Sequence, residues 1–307
     1  MSPGRALPTW QLFAIAVVIW STTWHAILYQ LAHTTPEVGV TLRFALAGAL
    51  ILAVAAWRGE RLRFGVREHA LLALQGVFMY SVAYLAVYHA EKYVPSGLVA
   101  VGYSASPLVN GVGAWLLWRT PLGPRFVFGG ALCIGGVTLI FRPEFTQVIA
   151  GDDATRGALL TVAAVLLSSV GNLAASRNLA HRIPFWPALG GGMLYGAAVS
   201  CVAAVATGAS FTWPVAPSWW LSLAYLSIAG SVIAFACFLA LQQRVGPGPA
   251  SSVGVMTPVL ALVISALFEG FRPVAMTWLG AALAVVGNAL ILKPRLGGSS
   301  ADARAAQ

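Results

Sequence analysis

The sequence predicts an all-α integral membrane protein with ten transmembrane helices arranged as two inverted five-helix repeats. Three observations lead to this fold class. The 307 residues are 59% hydrophobic and only 9% charged, whereas a soluble domain has about 25% charged residues. The apolar residues form ten segments of membrane-spanning length. The second half of the chain repeats the first.

The ten apolar segments are each long enough to cross a bilayer as a helix, which takes about 20 residues. Short connections with turn residues, such as Pro95-Ser96-Gly97, separate them. The connection around Phe145–Thr155, which contains Asp152 and Asp153, is longer and is interpreted as the joint between the halves. The predicted spans are residues 10–30, 36–57, 69–90, 95–118, 122–141, 156–178, 186–207, 217–243, 249–269 and 273–293.

The internal repeat has an offset of 151 residues and needs no gap between Gly76 and Pro143. It places Tyr84 on Phe235 and Pro107 on Pro258. Five helices are an odd number, so the second copy enters the membrane from the opposite face. A long repeat in an apolar chain is typical of transporters built from two related halves. The predicted domains are a first repeat at 1–148, a second repeat at 149–294, and a disordered cytoplasmic tail at 295–307.

The positive charges predict the orientation. Of the 18 Lys and Arg residues, Arg43 lies within a span. With the N-terminus inside, four fall outside and the other thirteen fall in cytoplasmic segments, so both termini are predicted to be cytoplasmic. This topology accounts for the net charge of +9, and no clustered basic face predicts nucleic-acid binding. The four outside cations are Lys92, Arg142, Arg156 and Arg272.

Several stretches resemble the drug/metabolite transporter superfamily of the EamA type, and the resemblance covers nearly all of the membrane region. They are 19–24 (Ile-Trp-Ser-Thr-Thr-Trp), 41–44 (Thr-Leu-Arg-Phe), 104–139, and 245–290 with its Phe-Glu-Gly at 268–270. One departure is Arg119-Thr120, where the family usually has a Gly-Glu pair. The resemblance implies a ten-helix transporter of small organic solutes, often an exporter of amino acids, and is nearest to the aromatic amino-acid exporters.

These features predict a secondary transporter in the cytoplasmic (inner) membrane that exports a small organic solute, such as an aromatic or other neutral amino acid. Uptake, or drug or cation efflux on the same fold, remains an alternative, and a membrane-embedded enzyme or sensor is a remote one. Because Walker A, HExxH and serine-elbow motifs are missing from the sequence, neither an enzyme nor a cofactor or metal site is expected. The expected partners are the solute and the lipid bilayer, with the chain as a monomer or homodimer.

The aromatic residues predict the wall of a cavity. Trp20 and Trp24 are four residues apart on the first predicted helix and share a face. Tyr80 and Tyr84 have the same spacing on the third helix, and Tyr103 lies at similar depth on the fourth. A tyrosine hydroxyl within hydrocarbon needs a hydrogen-bond partner, so these faces are expected to point inward. Dry packing between helices is the alternative.

Prolines and amides complete the predicted site. Pro107 and Pro258 lie near the middle of their spans, where a proline removes a backbone hydrogen bond and bends the helix. Such bends are tolerated beside protein or a wet cavity, although a proline can also be ordinary packing. Asn110 and Asn172 are candidate ligands because an amide does not readily satisfy itself within a membrane, and Met256 is included in the predicted binding set.

Charged residues within the spans are scarce. Arg43 is predicted either to attract a substrate carboxylate or to play a structural role, such as snorkelling to the headgroups. We expect no buried carboxylate that couples transport to protons. Glu91 and Glu269 lie at predicted helix ends, and His89 is expected to be satisfied at the interface. The expected mechanism is therefore alternating access driven by the solute's own gradient.

Overall fold

The computed structural model describes residues 7–119, 121–148, 152–180, 183–268, 270 and 272–292. All regular secondary structure in these ranges is helical. The helices are α1 Thr9–Leu31, α2 Pro36–Trp57, α3 Val66–Ala90, α4 Ser96–Gly102, α5 Ser106–Trp118, α6 Pro124–Val148, α7 Asp152–Ala180, α8 Phe185–Ala206, α9 Pro217–Val245, α10 Pro247–Ala250, α11 Val253–Phe268 and α12 Ala275–Leu292, with a 3-10 turn at Tyr103–Ala105 between α4 and α5.

Within the described residues, six helices are long and apolar enough to cross a membrane, namely α1, α2, α3, α7, α8 and α9. Shorter apolar stretches occur in α6, α11 and α12. The predicted spans coincide with these helices to within a few residues at most ends, because runs of apolar residues bounded by Pro and Gly mark helix ends clearly. The chain is therefore an all-helical membrane protein.

The predicted joint between the halves differs from the structure. Residues 145–148 continue α6, and Asp152 and Asp153 begin α7 instead of lying in a loop. Carboxylates are favourable in the first turn of a helix, where unpaired N–H groups give the positive end of the dipole. The pair of aspartates therefore marks a helix start. The predicted tail at 295–307 lies outside the described residues.

Two helices each contain one π-helical segment. Residues 77–82 in α3 and residues 228–233 in α9 are π-helical, and the two segments are separated by the 151-residue offset of the sequence repeat. A π turn inserts one extra residue into an α-helix and frequently occurs at functional sites. Both segments lie beside the cavity described below.

Glycines bring helices of the two halves into backbone contact. A Cβ added at Gly129 would lie 2.4 Å from the Gly287 carbonyl oxygen, and one at Gly136 would lie 2.5 Å from that of Gly280. These contacts join α6 to α12, and Gly48 makes a similar contact between α2 and α8. Small residues allow such approach in membrane helices. A Cβ added at the neighbouring Gly135, by contrast, would have no atom within 4 Å among the described residues.

Candidate substrate cavity

A cavity lies between α1, α2, α3, α7 and α9, where the breaks preceding α5 and α11 also meet. It offers about 90 Å³ to the centres of water-sized molecules. A cavity of this size holds several waters or a small organic solute. Its aromatic wall consists of Trp20, Trp24, Tyr84, Tyr103, Phe235 and Phe238.

The structure brings six of the predicted site residues to this cavity. They come from four helices and the 3-10 turn, and they combine aromatic faces with one cation and one amide. The polar lining also includes Thr23, Ser106, Ser168, Ser251 and Thr257. The six predicted residues are Trp20, Trp24, Arg43, Tyr84, Tyr103 and Asn172.

The two tryptophans of α1 line the cavity together because α1 is a regular helix. The Trp20 Nε1 donates to the Gly230 carbonyl oxygen at 3.1 Å, and its ring lies 4.9 Å from Phe235. The Trp24 ring lies 5.3 Å from Tyr103. The first tryptophan therefore links α1 to the π-helical segment of α9, while the second contacts the 3-10 turn.

Tyr80 lies behind the cavity wall instead of lining it. Its side chain is fully buried, its hydroxyl accepts from the Gln75 Nε2 at 3.2 Å, and its ring contacts Phe44 and Phe235. Tyr80 lies within the π-helical segment at 77–82. Tyr80 and Tyr84 nevertheless contact the same two rings, those of Phe44 and Phe235, and Tyr84 is the one that lines the cavity.

Two more residues that the sequence predicts to bind the solute do not line the cavity. Asn110 is fully buried, donates from Nδ2 to Ser251 at 2.6 Å and accepts at Oδ1 from Ser169 at 2.5 Å. Its amide is thus satisfied by protein and supports Ser251, which does line the cavity. Met256 is half-buried and contacts the core around the cavity. Neither residue shows an atom that is free to bind solute.

The two prolines are buried immediately behind lining residues. Pro107 follows Ser106 near the start of α5, and Pro258 follows Thr257 inside α11. Each proline leaves the carbonyl four residues earlier without its helical donor, which affects Tyr103 and Gly254. A Cβ added at Gly254 would lie 3.1 Å from the Tyr103 carbonyl oxygen. The two interrupted helices therefore meet at the cavity.

Arg43 is the charged residue of the lining. Its side chain is fully buried, and Nε donates to the Ser231 Oγ at 2.9 Å. The guanidinium carbon lies 4.7 Å from the Tyr84 ring centroid and 5.1 Å from that of Phe44. Neither Nη1 nor Nη2 makes a hydrogen bond of good geometry among the described residues, although the Tyr84 and Tyr88 hydroxyls and the Glu91 carboxylate lie close enough to interact with the guanidinium. This burial excludes snorkelling into the headgroups as the role of the side chain.

Three neutral lining residues also present buried polar atoms without a partner in the part of the chain that the structure describes. These atoms are the Trp24 Nε1, the Ser106 Oγ and the Asn172 Oδ1. A buried polar group that makes no hydrogen bond costs about 1–3 kcal/mol. A cavity that retains several such atoms is suited to a ligand or water that pairs with them.

Two carboxylates are buried at helix ends, as Glu91 was expected to lie at the end of its helix. Glu37 and Glu91 are 8% and 7% exposed, because neighbouring helices cover the ends of α2 and α3. The Glu37 carboxylate lies 2.8 Å from the His89 Nε2, which satisfies that histidine as expected. Neither carboxylate is a lining residue of the cavity. Glu269 lies outside the described residues.

The sequence interpretation missed part of the lining. Phe235 occupies the repeat position of Tyr84, and Gly254 that of Tyr103, so the 151-residue offset could have identified both. Ser231 carried no signal of its own, because a serine within a membrane helix is usually satisfied by its own backbone. No group of three His, Cys, Asp or Glu side chains among the described residues could hold a metal ion.

Comparisons with known proteins agree with this architecture. A solved crystal structure superimposes with a TM-score of 0.70 at 22% identity, covering 94% of this chain and 99% of that chain. The inner membrane transporter YedA of Escherichia coli (strain K12) is 28% identical over 283 residues, which are 92% of this chain and 88% of YedA.

A further relative has a more specific name. The probable terminal-alkyne amino-acid exporter of Streptantibioticus cattleyicolor is 25% identical over 311 residues, covering 94% of each chain. The sequence profile of the EamA-like transporter family matches twice, at residues 9–142 and 155–293. The two matches together span most of the chain, which therefore belongs to the EamA-like transporter family.

Proposed function

We propose that this membrane transporter exports a small zwitterionic amino acid, or a closely related carboxylate, through the cavity beside Arg43. The observation that carries the proposal is a fully buried guanidinium whose Nη1 and Nη2 make no hydrogen bond of good geometry within the described part of the chain. Arg binds carboxylates with two parallel hydrogen bonds, and Nη1 and Nη2 suit that arrangement. A carboxylate also offsets the cost of keeping the cation in a dry site.

The neutral part of the lining fits the rest of such a solute. The Asn172 Oδ1 and the Ser106 Oγ can accept hydrogen bonds from an ammonium group. The aromatic faces of Trp20, Trp24 and Tyr103 suit an apolar side chain. Aliphatic and aromatic side chains both suit this wall, and a relative named as an amino-acid exporter supports the amino-acid class.

The proposed architecture is a ten-helix, multi-pass protein of the cytoplasmic (inner) membrane with both termini cytoplasmic. Reciprocal contacts support two inverted halves. The 151-residue offset relates Gly129 to Gly280 and Gly136 to Gly287. In the structure Gly129 on α6 contacts Gly287 on α12, and Gly136 contacts Gly280. The matched π-helical segments agree with the same symmetry. Alternating access then occurs by movement of one half against the other.

The Arg43 assignment is tested by solute flux in proteoliposomes. We expect Arg43→Gln to reduce L-leucine flux at least tenfold, since a hydrogen bond to a charged group contributes about 1.5–3 kcal/mol. Arg43→Lys should retain part of the flux, because lysine keeps the positive charge but lacks the two parallel N–H donors of the guanidinium. Monodispersity of each variant in detergent is the control for folding. Wild-type flux by Arg43→Gln would contradict the proposal.

The alternatives are separated in the same assay. Uptake differs from export only in direction, which flux from right-side-out and inside-out vesicles distinguishes. Drug or cation efflux has support from the aromatic lining, since aromatic faces attract cations. The buried Arg43 repels a cationic solute, however. Transport of tetraphenylphosphonium in place of amino acids would favour the cation carrier.

A further inference from the structure

The π-helical segment of α9 touches the proposed carboxylate site directly. Ser231 lies within this segment, at residues 228–233, and is fully buried. Its Oγ accepts from the Arg43 Nε at 2.9 Å and donates to the Leu226 carbonyl oxygen, also at 2.9 Å. The serine therefore connects the cation of α2 to the irregular turn of α9.

The direction of these two bonds is fixed by chemistry. A serine hydroxyl has one proton, and the Arg43 Nε is only a donor. The Ser231 proton is therefore committed to Leu226, whose carbonyl lies five residues earlier in the π-helical region. The oxygen lone pairs remain for the guanidinium. A regular α-helical turn would alter the position of Ser231 relative to α2, because one residue fewer changes the register.

The neighbouring Gly230 leaves space for the cation. A Cβ added there would lie 3.2 Å from the Arg43 Nη2 and 2.8 Å from the Thr23 side chain. The Gly230 carbonyl meanwhile accepts from the Trp20 Nε1. Backbone and side chains of the segment thus contact two lining residues, the cation and an aromatic. Contact at Nε fixes one edge of the planar guanidinium and leaves the Nη1 and Nη2 edge for a ligand.

We propose that Ser231 is a positioning residue that orients Arg43 for carboxylate binding and links occupancy of the site to the π-helical turn of α9. The inference rests on the proposed function, in which Arg43 receives the carboxylate of the solute. Ser231 is not expected to touch the solute itself. Its role is to make Arg43 discriminate solutes that carry a carboxylate from those that do not.

Ser81 provides a matched control. It lies in the equivalent π-helical segment of α3, is also fully buried, and its Oγ pairs with the Ser200 Oγ at 2.7 Å. It is not a lining residue of the cavity. Ser81→Ala therefore removes a buried hydroxyl from the same type of helix without touching Arg43.

The transport test compares L-leucine with L-leucinamide, which lacks the carboxylate, at pH 9, where the amine of leucinamide is mostly uncharged because its pKa is about 8. We expect Ser231→Ala to raise the KM for leucine about tenfold or more, because it removes a hydrogen bond to a charged group, and to leave the KM for leucinamide within about twofold. Ser231→Thr should restore the wild-type value by retaining the hydroxyl, and Ser81→Ala should change neither KM. An unchanged leucine KM, or an equal rise for both solutes, would overturn the positioning role.

A second readout does not depend on the identity of the solute. Phenylglyoxal modifies guanidinium groups, and mass spectrometry of the α2 peptide reports the reaction at Arg43. We expect Ser231→Ala to label several-fold faster than the wild type or Ser81→Ala, because the guanidinium is no longer held in place by Ser231 and its Nη atoms become more accessible to the reagent. Equal labelling rates would refute the inference. If the wild type moves no amino acid but the labelling rates differ, the proposed substrate is wrong and the positioning of Arg43 stands.

Discussion

At the scale of single residues, the cavity is defined by polar atoms that the protein leaves unpaired. The Arg43 Nη atoms are donors, and the Asn172 Oδ1 is an acceptor. A zwitterion offers complementary groups to both, whereas a simple carboxylate or a simple amine offers only one. Asn110 shows the contrast, because both ends of its amide are bonded within the protein.

The role of Asn172 is tested by removing its acceptor. We expect Asn172→Leu to raise the KM for leucine about tenfold, since the ammonium loses a charge-assisted hydrogen bond. The KM for 4-methylpentanoate, which is leucine without its amino group, should change by less than about twofold in the same variant. The measurement is the KM of the wild type and of the variant for each of the two solutes. Equal losses for the two solutes would instead indicate a general disturbance of the cavity.

At the scale of helices, irregular turns decide which residues reach the cavity. Tyr80 lies in the π-helical segment of α3 and is buried behind the wall, whereas Tyr84 follows the segment and lines the cavity, although both rings contact Phe44 and Phe235. The 3-10 turn at Tyr103–Ala105 similarly directs Tyr103 to the lining. Outside these irregular turns, glycine contacts between helices of the two halves hold the framework.

Neighbouring glycines on α6 give a stability test with an internal control. A Cβ at Gly136 would meet the Gly280 carbonyl oxygen at 2.5 Å, whereas one at Gly135 would meet nothing within 4 Å among the described residues. We expect Gly136→Ala to destabilise the protein by about 1–3 kcal/mol through overpacking against backbone. Gly135→Ala should be neutral or slightly stabilising. Thermal unfolding in detergent measures both, and equal midpoints would exclude a tight α6–α12 contact.

At the scale of the whole molecule, two related halves surround a site whose lining includes no carboxylate among the residues that the structure describes. Glu37 and Glu91 are buried but lie outside the cavity lining, and Glu37 is paired with His89. A solute-driven carrier needs no proton-binding group in its cavity. Such a mechanism suits an overflow exporter, whose driving force is the high internal concentration of its substrate.

The proposed energetics predict that a pH gradient does not drive accumulation. In proteoliposomes at clamped voltage, leucine should reach the same level on both sides with and without an imposed pH gradient. Glu37→Gln should retain flux, because its carboxylate does not line the cavity. Accumulation above equilibrium that collapses with a protonophore would contradict solute-driven transport. Glu37, Glu91 and His89 would then be the residues to substitute.

The sequence alone determined that the protein is helical and lies in a membrane, and it determined where most helices lie. In regular helices it also determined which residues share a face. Apolar length and flanking Pro and Gly carry this information locally. For the same reason Trp20 and Trp24 were correctly expected to share a face, since α1 is uninterrupted. The repeat also contained a signal for Phe235, as the counterpart of Tyr84.

Only the tertiary structure decided which polar groups are satisfied and which remain free. Ser251 and Ser169, distant in sequence, bond to the amide of Asn110, while the Asn172 Oδ1 has no hydrogen-bond partner among the described residues. Ser231 reaches Arg43 across 188 positions of the chain. The π-helical turns that change the register of α3 and α9 are likewise set by helix packing. Helical periodicity specifies on which side of its own helix a side chain lies. Only the packing of the neighbouring helices determines which groups that side chain meets.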